Sequence, residues 1–289
     1  MSAAATPLPR PRATRRIRPA AVGKHLFLTA LAVMVAFPFY WMVTTAFKSF
    51  FEATQFPPTL VPREWHFENF PIAWAAAPWG RYFANTILIA AVVTVGELAT
   101  AVLAAYAFAL MRFRGKGVVF VLFLATLMIP GEATLIPNFV LMSRRYLNLY
   151  DTYWAQILPF LATAFSIFLL RQFFLSVPNE LQDAARMDGA GHLRFLWSVV
   201  LPISVPALVT VALITFLGSY NSFLWPLIVT SSADVRPVQI GMAQFRTENG
   251  SQYHLLMAAA TLVIAPVVLL YIGAQRYLIQ GVARSGIRG

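Results

Sequence analysis

Apolar residues gather into long runs separated by polar connections. Leu26–Phe47 has no charged residue over 22 positions. As a helix that run is long enough to cross about 30 Å of hydrocarbon, and it exceeds the apolar core of a secretory leader. Tyr82–Met111 comes next, broken only by Glu97, and stops at the basic turn Arg112, Arg114, Lys116. Gly117–Met142 is interrupted at Ile129-Pro130-Gly131-Glu132, which predicts a discontinuous helix whose freed backbone groups need protein or water as partners. Thr152–Leu170 carries Pro159 as a kink. From Phe195 to Ala233 no charge appears, too long for one crossing; Pro202 and Pro206 divide it and leave a fifth span at about Val205–Thr230. Leu255–Gln275 is the sixth. The expectation is an all-α polytopic membrane protein with six transmembrane helices.

The polar stretches differ in kind. Residues 1–23, rich in Ala, Pro and Arg, form nothing that could pack and read as a disordered basic tail ahead of a transmembrane domain at 24–289. Lys48–Arg81, spaced by Pro57, Pro58, Pro62, Pro71 and Pro78, shows no clear helical period and reads as an extended loop. The segment of about 176–203 is organised differently. Pro178 suits the first turn of a helix, and Glu180 and Asp183 favour its positive end. Leu181, Ala184, Ala185 and Met187 or Asp188 recur at helical spacing, so small and apolar side chains share one face. Gly189 permits the left-handed turn that ends a helix. A second, mostly apolar helix from His192 to Leu201 should end at Pro202 and lie along the membrane surface. An amphipathic helix pair between spans four and five asks for something outside the membrane to hold it.

Composition fixes the class. Hydrophobic residues make up 59% and charged residues 11% of the chain, against about a quarter charged in soluble domains. The net charge of +11 comes from basic residues scattered between spans, with a single cluster at the N-terminus, so it marks membrane flanks rather than nucleic acid. With six spans both termini lie on one side. Fifteen Lys and Arg residues fall on the side of the termini and the 176–203 loop, and seven on the other, so that loop and both termini should be cytoplasmic. No cysteine is present to form a thiolate metal site or nucleophile. No internal repeat suggests an inverted-repeat carrier.

D-A-A-R-M-D-G-A at Asp183–Ala190, with Pro202 and Pro206 downstream, resembles the cytoplasmic signature loop of binding-protein-dependent ABC importer permeases, which usually opens Glu-Ala-Ala. I-P-N-F at Ile136, Y-N-S-F-L-W-P-L at Tyr220–Leu227 and Q-R-Y-L-I-Q-G at Gln275–Gly281 are similar to the carbohydrate-importing branch, in particular the smaller permease of the maltose type. The likeness covers roughly Leu26–Gly289. Asp183 departs from the usual Glu, keeping the charge with one methylene less reach.

The resemblance implies a multi-pass protein of a bacterial or archaeal cytoplasmic membrane, with three kinds of partner. These are a second homologous permease, an ATP-binding subunit dimer and an extracytoplasmic solute-binding protein met by the 48–81 and 230–253 loops. It also implies a coupling role for the signature helix, inserted in a groove of the ATPase. Glu180, Asp183 and Asp188 would supply the acidic face, Gly189 the turn, and Ala184, Ala185 and Ala190 the small side chains that allow close approach. The chain has no G-x-x-x-x-G-K-[ST], H-E-x-x-H or G-x-S-x-G and no close histidine pair, so neither catalysis nor a bound cofactor or metal is expected of it. ATP and Mg would be used by the partner ATPase.

Candidates for the substrate path are Glu97, Glu132, Tyr220, Asn221 and Trp225. An ionisable group within a span is expensive unless it meets a polar cavity or a partner. Glu97 therefore either lines the path or bonds a neighbouring helix or the partner subunit, and Glu132 either caps the break in span three or lines the same region. Tyr220, Asn221 and Trp225 offer the ring faces and planar amide that a pyranose needs, yet such residues also anchor spans and join helices. The expected cargo is a sugar or oligosaccharide, with glycerol phosphate as the alternative. An ion-coupled secondary carrier using Glu97 and Glu132, or a membrane enzyme of lipid or glycan assembly, would be of another class.

Overall fold

The computed structural model describes residues 19–247 and 250–285. The basic tail before Pro19 lies outside them. Helix α1 (Pro19–Ala46) therefore begins inside the expected tail, and it carries the first apolar run. Its 23–40 stretch is exposed throughout, a face suited to lipid or another chain.

The 48–81 segment is not an extended loop. It holds α2 (Phe50–Thr54) and α3 (Asn69–Ala75), and buried polar groups fix it. Ser49 caps α2 by accepting from the Glu52 amide. The Glu52 carboxylate accepts from the Thr59 hydroxyl at 2.7 Å and the Arg63 amide at 3.0 Å, while Asn69 donates to the carbonyls of Ala46 and Lys48, each at 2.9 Å. Proline spacing hid this because the stabilising partners are distant in sequence.

Helix α4 (Trp79–Leu110) is the central span. Ala90, Ala101 and Ala105 on it are fully buried, and small side chains let α8 (Ala164–Phe174) and α12 (Val205–Tyr220) pack closely along its length. The third run is α5 (Lys116–Thr126), a 3₁₀ turn at Gly131–Thr134 and α6 (Leu135–Met142), bent by 92° at the Pro-Gly break. The fourth is α7 (Tyr153–Ile157) with a 3₁₀ turn at Leu158–Phe160, leading to α8 at 43°.

After α9 (Asn179–Met187) comes α10 (His192–Phe195), which runs through a π turn at Leu196–Val200 into α11 (Leu201–Ile203). Pro202 does not end this helix as expected. The π turn shifts the hydrogen-bond register ahead of the proline, and the break falls at Ser204, whose amide and hydroxyl both donate to the Val200 carbonyl. There the chain turns by 81° into α12.

The fifth run is shorter than its apolar stretch: α12 stops at Tyr220, and Leu224–Val229 forms a separate α13. A short α14 (Val238–Met242) and a two-residue antiparallel pairing of Arg246–Thr247 with Gly250–Ser251 precede α15 (Tyr253–Ser285). Among the described residues three helices are long and apolar enough to cross a membrane, and three bent pairs bring the number to six.

Candidate functional site

Two places bring the chemistry together. The first is the foot of α4. Its last carbonyls have no partner within the helix, and three side chains from elsewhere satisfy them. Lys116 donates to Ala109 at 3.1 Å and to Met111 at 2.9 Å, Arg171 to Phe108 at 3.0 Å, and Gln182 to Leu110 at 3.5 Å. Cations here also oppose the negative end of the helix dipole. The Arg171 guanidinium lies 4.0 Å from the centre of the Phe120 ring, which adds a cation–π contact. Basic residues that read as membrane flanks are thus also the caps of the central span.

Helix α9 hangs from this foot and buries none of its own residues. Gly189, at φ 73°, closes it as a Schellman turn, with the Ala190 amide donating to the Ala185 carbonyl and the Gly189 amide to Arg186. Gln182, Ala185 and Ala190 are half-buried against the bundle. With Tyr106, Arg186, Gly191, His192 and Phe195 they line a cavity of about 150 Å³. Within it Tyr106 of α4 hydrogen-bonds His192 Nδ1 at 2.9 Å.

Glu180, Asp183, Ala184 and Asp188 point away from the bundle, together with Leu181 and Met187, the latter 88% exposed. The face shared by small and apolar residues is therefore divided, Ala185 turning inward and Leu181, Ala184 and Met187 outward. Asp183 meets Arg186 at 3.8 Å on the same exposed surface, a contact too loose and too wet to neutralise it.

The second place is a cavity of about 360 Å³ between α4, the α7–α8 break, α12 and α13. Gly96 lets the Leu161 side chain of the break pack against α4: an added Cβ would lie 2.5 Å from Leu161 Cδ2, so that side chain would have to move. Thr100 donates to the freed Leu161 carbonyl, and Thr163 caps α8. Both Thr163 and Ser166 then donate to Glu97 Oε1 at 2.5 Å. Glu97, 5% exposed, thereby both bonds a neighbouring helix and lines a cavity.

Trp225 lines the same cavity, its indole N–H donating to the Ala155 carbonyl at 3.1 Å, with Phe160 packed edge-on at 6.4 Å. Tyr220 and Asn221 lie elsewhere. Tyr220 is buried with its hydroxyl on the Val263 carbonyl of α15, and Asn221 is exposed, accepting from Gln239. Glu132 is exposed in the 3₁₀ turn of span three, outside the cavity.

Several residues of these places carry no warning in the sequence. Gln156 is the one amide in the apolar part of span four, and Thr163 and Ser166 follow Pro159 at helical spacing, a signal readable only once the break is known to face Glu97. No group of three or more His, Asp or Glu among the described residues could hold a metal ion.

Comparison with known proteins agrees across nearly the whole chain. Residues 98–284 match the family described as binding-protein-dependent transport system inner membrane component. The probable ABC transporter permease protein YurM of Bacillus subtilis (strain 168) is 34% identical over 282 residues, covering 97% of this chain and 92% of the relative. The sn-glycerol-3-phosphate transport system permease protein UgpE of Yersinia pestis bv. Antiqua is 34% identical, with 90% and 95% covered. The arabinooligosaccharides transport system permease protein AraQ of Halalkalibacterium halodurans is 35% identical, with 90% and 93% covered. Among solved structures, a chain of a bacterial ABC transporter involved in the import of the acidic polysaccharide alginate superposes with a TM-score of 0.79 at 26% identity, over 92% of this chain and 99% of that one.

Proposed function

Because the chain belongs to the family of binding-protein-dependent transport system inner membrane components, we propose that it is a permease subunit of an ATP-driven importer, moving a sugar or oligosaccharide brought by an extracytoplasmic solute-binding protein. The observation that carries the coupling role is α9: an acid-bearing helix with no buried residue, fastened through Gln182 and the Tyr106–His192 contact to the foot of the central span.

In this reading Glu180, Asp183 and Asp188 meet a basic groove of an ATPase subunit and Ala184 lets the two surfaces close. The Gly189 turn, with Ala185 and Ala190 beneath it, keeps the helix at a fixed angle to the bundle. ATP and Mg are used by that partner dimer, and a second homologous permease completes the path. The foot of α4 and both termini face the cytoplasm, with the 48–81 and 230–253 segments on the other side. Glycerol phosphate is the second reading, supported by the 34% identity to UgpE.

The test is purification from gently solubilised native membranes with the co-purifying subunits identified by mass, and uptake measured under ATP depletion and under an uncoupler. An ATPase and a second permease in the complex, with uptake lost on ATP depletion and kept under the uncoupler, are the expected results. A chain recovered alone, with uptake that collapses under the uncoupler and survives ATP depletion, points instead to an ion-coupled carrier.

A further inference from the structure

The cavity beside Glu97 has the volume of a small-molecule site, at about 360 Å³. Its lining joins the rings of Phe160 and Trp225 to a small set of oxygens on Glu97, Gln156, Ser219 and Ser222. Two of these side chains have capacity to spare. Gln156 is 2% exposed. Its amide donates to the Val235 carbonyl at 2.9 Å and reaches the Thr152 carbonyl at 3.5 Å, which fixes the NH₂ on that side, yet its Oε1 is buried with no partner. A buried acceptor left unmatched is costly, and a ligand donor would relieve it. Glu97 takes both of its hydrogen bonds on Oε1, so Oε2 can accept another.

Charge then decides the class of ligand. Among the described residues Glu97 is the one ionisable group in the lining, its partners are hydroxyls, and no Lys, Arg or His lines the cavity. Arg236, adjacent in sequence to the lining residue Pro237, does not line it. The spare oxygens of Glu97 and Gln156 are acceptors, the hydroxyls of Ser219 and Ser222 can donate or accept, and no cation among the described lining residues would neutralise an anion.

We propose that this cavity is a subsite for a neutral polyhydroxylated ligand, whose hydroxyls donate to Gln156 Oε1 and Glu97 and whose apolar face meets the Phe160 and Trp225 rings, and that it rejects phosphorylated or uronic ligands. This rests on the importer reading and narrows it, since two of its relatives are named for anionic cargo. A ligand anion about 6 Å from Glu97, at an effective dielectric constant of about 20, would be disfavoured by roughly a hundredfold.

The experiment uses the complete complex recovered with this chain, without its solute-binding protein. Equilibrium binding is measured for arabinotriose, maltotriose and raffinose as neutral probes, and for sn-glycerol 3-phosphate and an alginate trisaccharide as anions. At least one neutral probe should bind roughly a hundredfold better than either anion. Glu97→Gln should narrow that ratio at least about tenfold, Gln156→Leu should weaken the neutral probe about tenfold or more, and Ser222→Lys should favour the anions. Each variant is checked for elution as an intact complex, and Ser222→Lys, at a half-buried position, keeps the test open where Glu97→Gln fails to assemble.

Anions binding as well as neutral probes, ratios unmoved by the charge changes, or no binding of any neutral probe would overturn the proposal. A complex that contains an ATPase and shows one of those results refutes the subsite alone. A chain that recovers no ATPase refutes the importer reading beneath it.

Discussion

The two ends of α4 are held in opposite ways. At the Trp79 end the polar groups are consumed within the chain: Asn85 donates to the carbonyls of Asp234 and Arg236 at 2.9 and 3.0 Å and accepts from the Tyr153 hydroxyl at 2.8 Å, and Thr86 accepts from the Val238 amide. At the Leu110 end the carbonyls are capped by side chains of α5, α8 and α9, and the acids of α9 are left facing outward. One end is built to stay as it is. The other offers a handle in the proposed reading: Gln182 of α9 and His192 of α10 are its contacts to the central span, at Leu110 and Tyr106.

The largest way to break that contrast is at the handle. Gly189→Asp should still insert, at a modest cost in stability: any side chain is strained at φ 73°, Asp less than most, and no atom lies within 4 Å of an added Cβ. Uptake should still fall roughly a hundredfold, toward the upper end of ordinary coupling energies, since the added side chain crowds the surface where the ATPase would dock and disturbs the turn that sets the angle of α9. Uptake assayed beside membrane insertion checks this.

Asn85→Leu should behave in the reverse manner. Removing one buried amide orphans the Arg236 carbonyl and leaves the Asp234 carbonyl and the Tyr153 hydroxyl only the 3.2 Å bond between them, so the thermal midpoint in detergent should drop by an amount equivalent to about 2 kcal/mol, with molecules imported per ATP unchanged. Tyr106→Phe is smaller: about 1 kcal/mol of stability, but a measurable loss of transport per ATP hydrolysed.

The smallest effect is one of pH, at the end away from the handle. Burial alone would push the Asp151 carboxyl up, but the amides of Ser231 and Ser232, at 2.8 and 3.0 Å, outweigh it and hold the group below its ordinary range. A depressed folded value means that stability is present at neutral pH and is lost as pH falls through the carboxylate range, below about pH 4. Asp151→Asn should flatten that part of the pH–stability curve.

How far these features were readable follows the same division. The signature segment could be read from the sequence because helix signals are local: Pro178, the acids of the first turn and Gly189 each act within a few residues, and α9 starts and stops where they say. The six apolar runs were equally plain. The 48–81 helices were not, since Glu52 and Asn69 find partners 11 to 23 residues away. The continuation through Pro202 was missed because a π turn absorbs the missing N–H upstream.

In the cavity the sequence pointed to Glu97 and Trp225 but grouped them with Tyr220 and Asn221. In a helix apolar on every side, no period says which face a polar residue presents. The chain turns Tyr220 toward α15 and brings up Gln156, Thr163 and Ser166 only through the break after Pro159.

The most direct test of the coupling role is Asp183→Lys in the complex purified with its ATPase, reading ATP hydrolysis and uptake in the same proteoliposomes. Hydrolysis detached from transport, or loss of the ATPase from the complex, is expected in a protein that folds normally, because among the described residues the exposed Asp183 side chain has no hydrogen bond or ion pair beyond the 3.8 Å approach of Arg186. Uptake per ATP equal to that of the unaltered chain would contradict it.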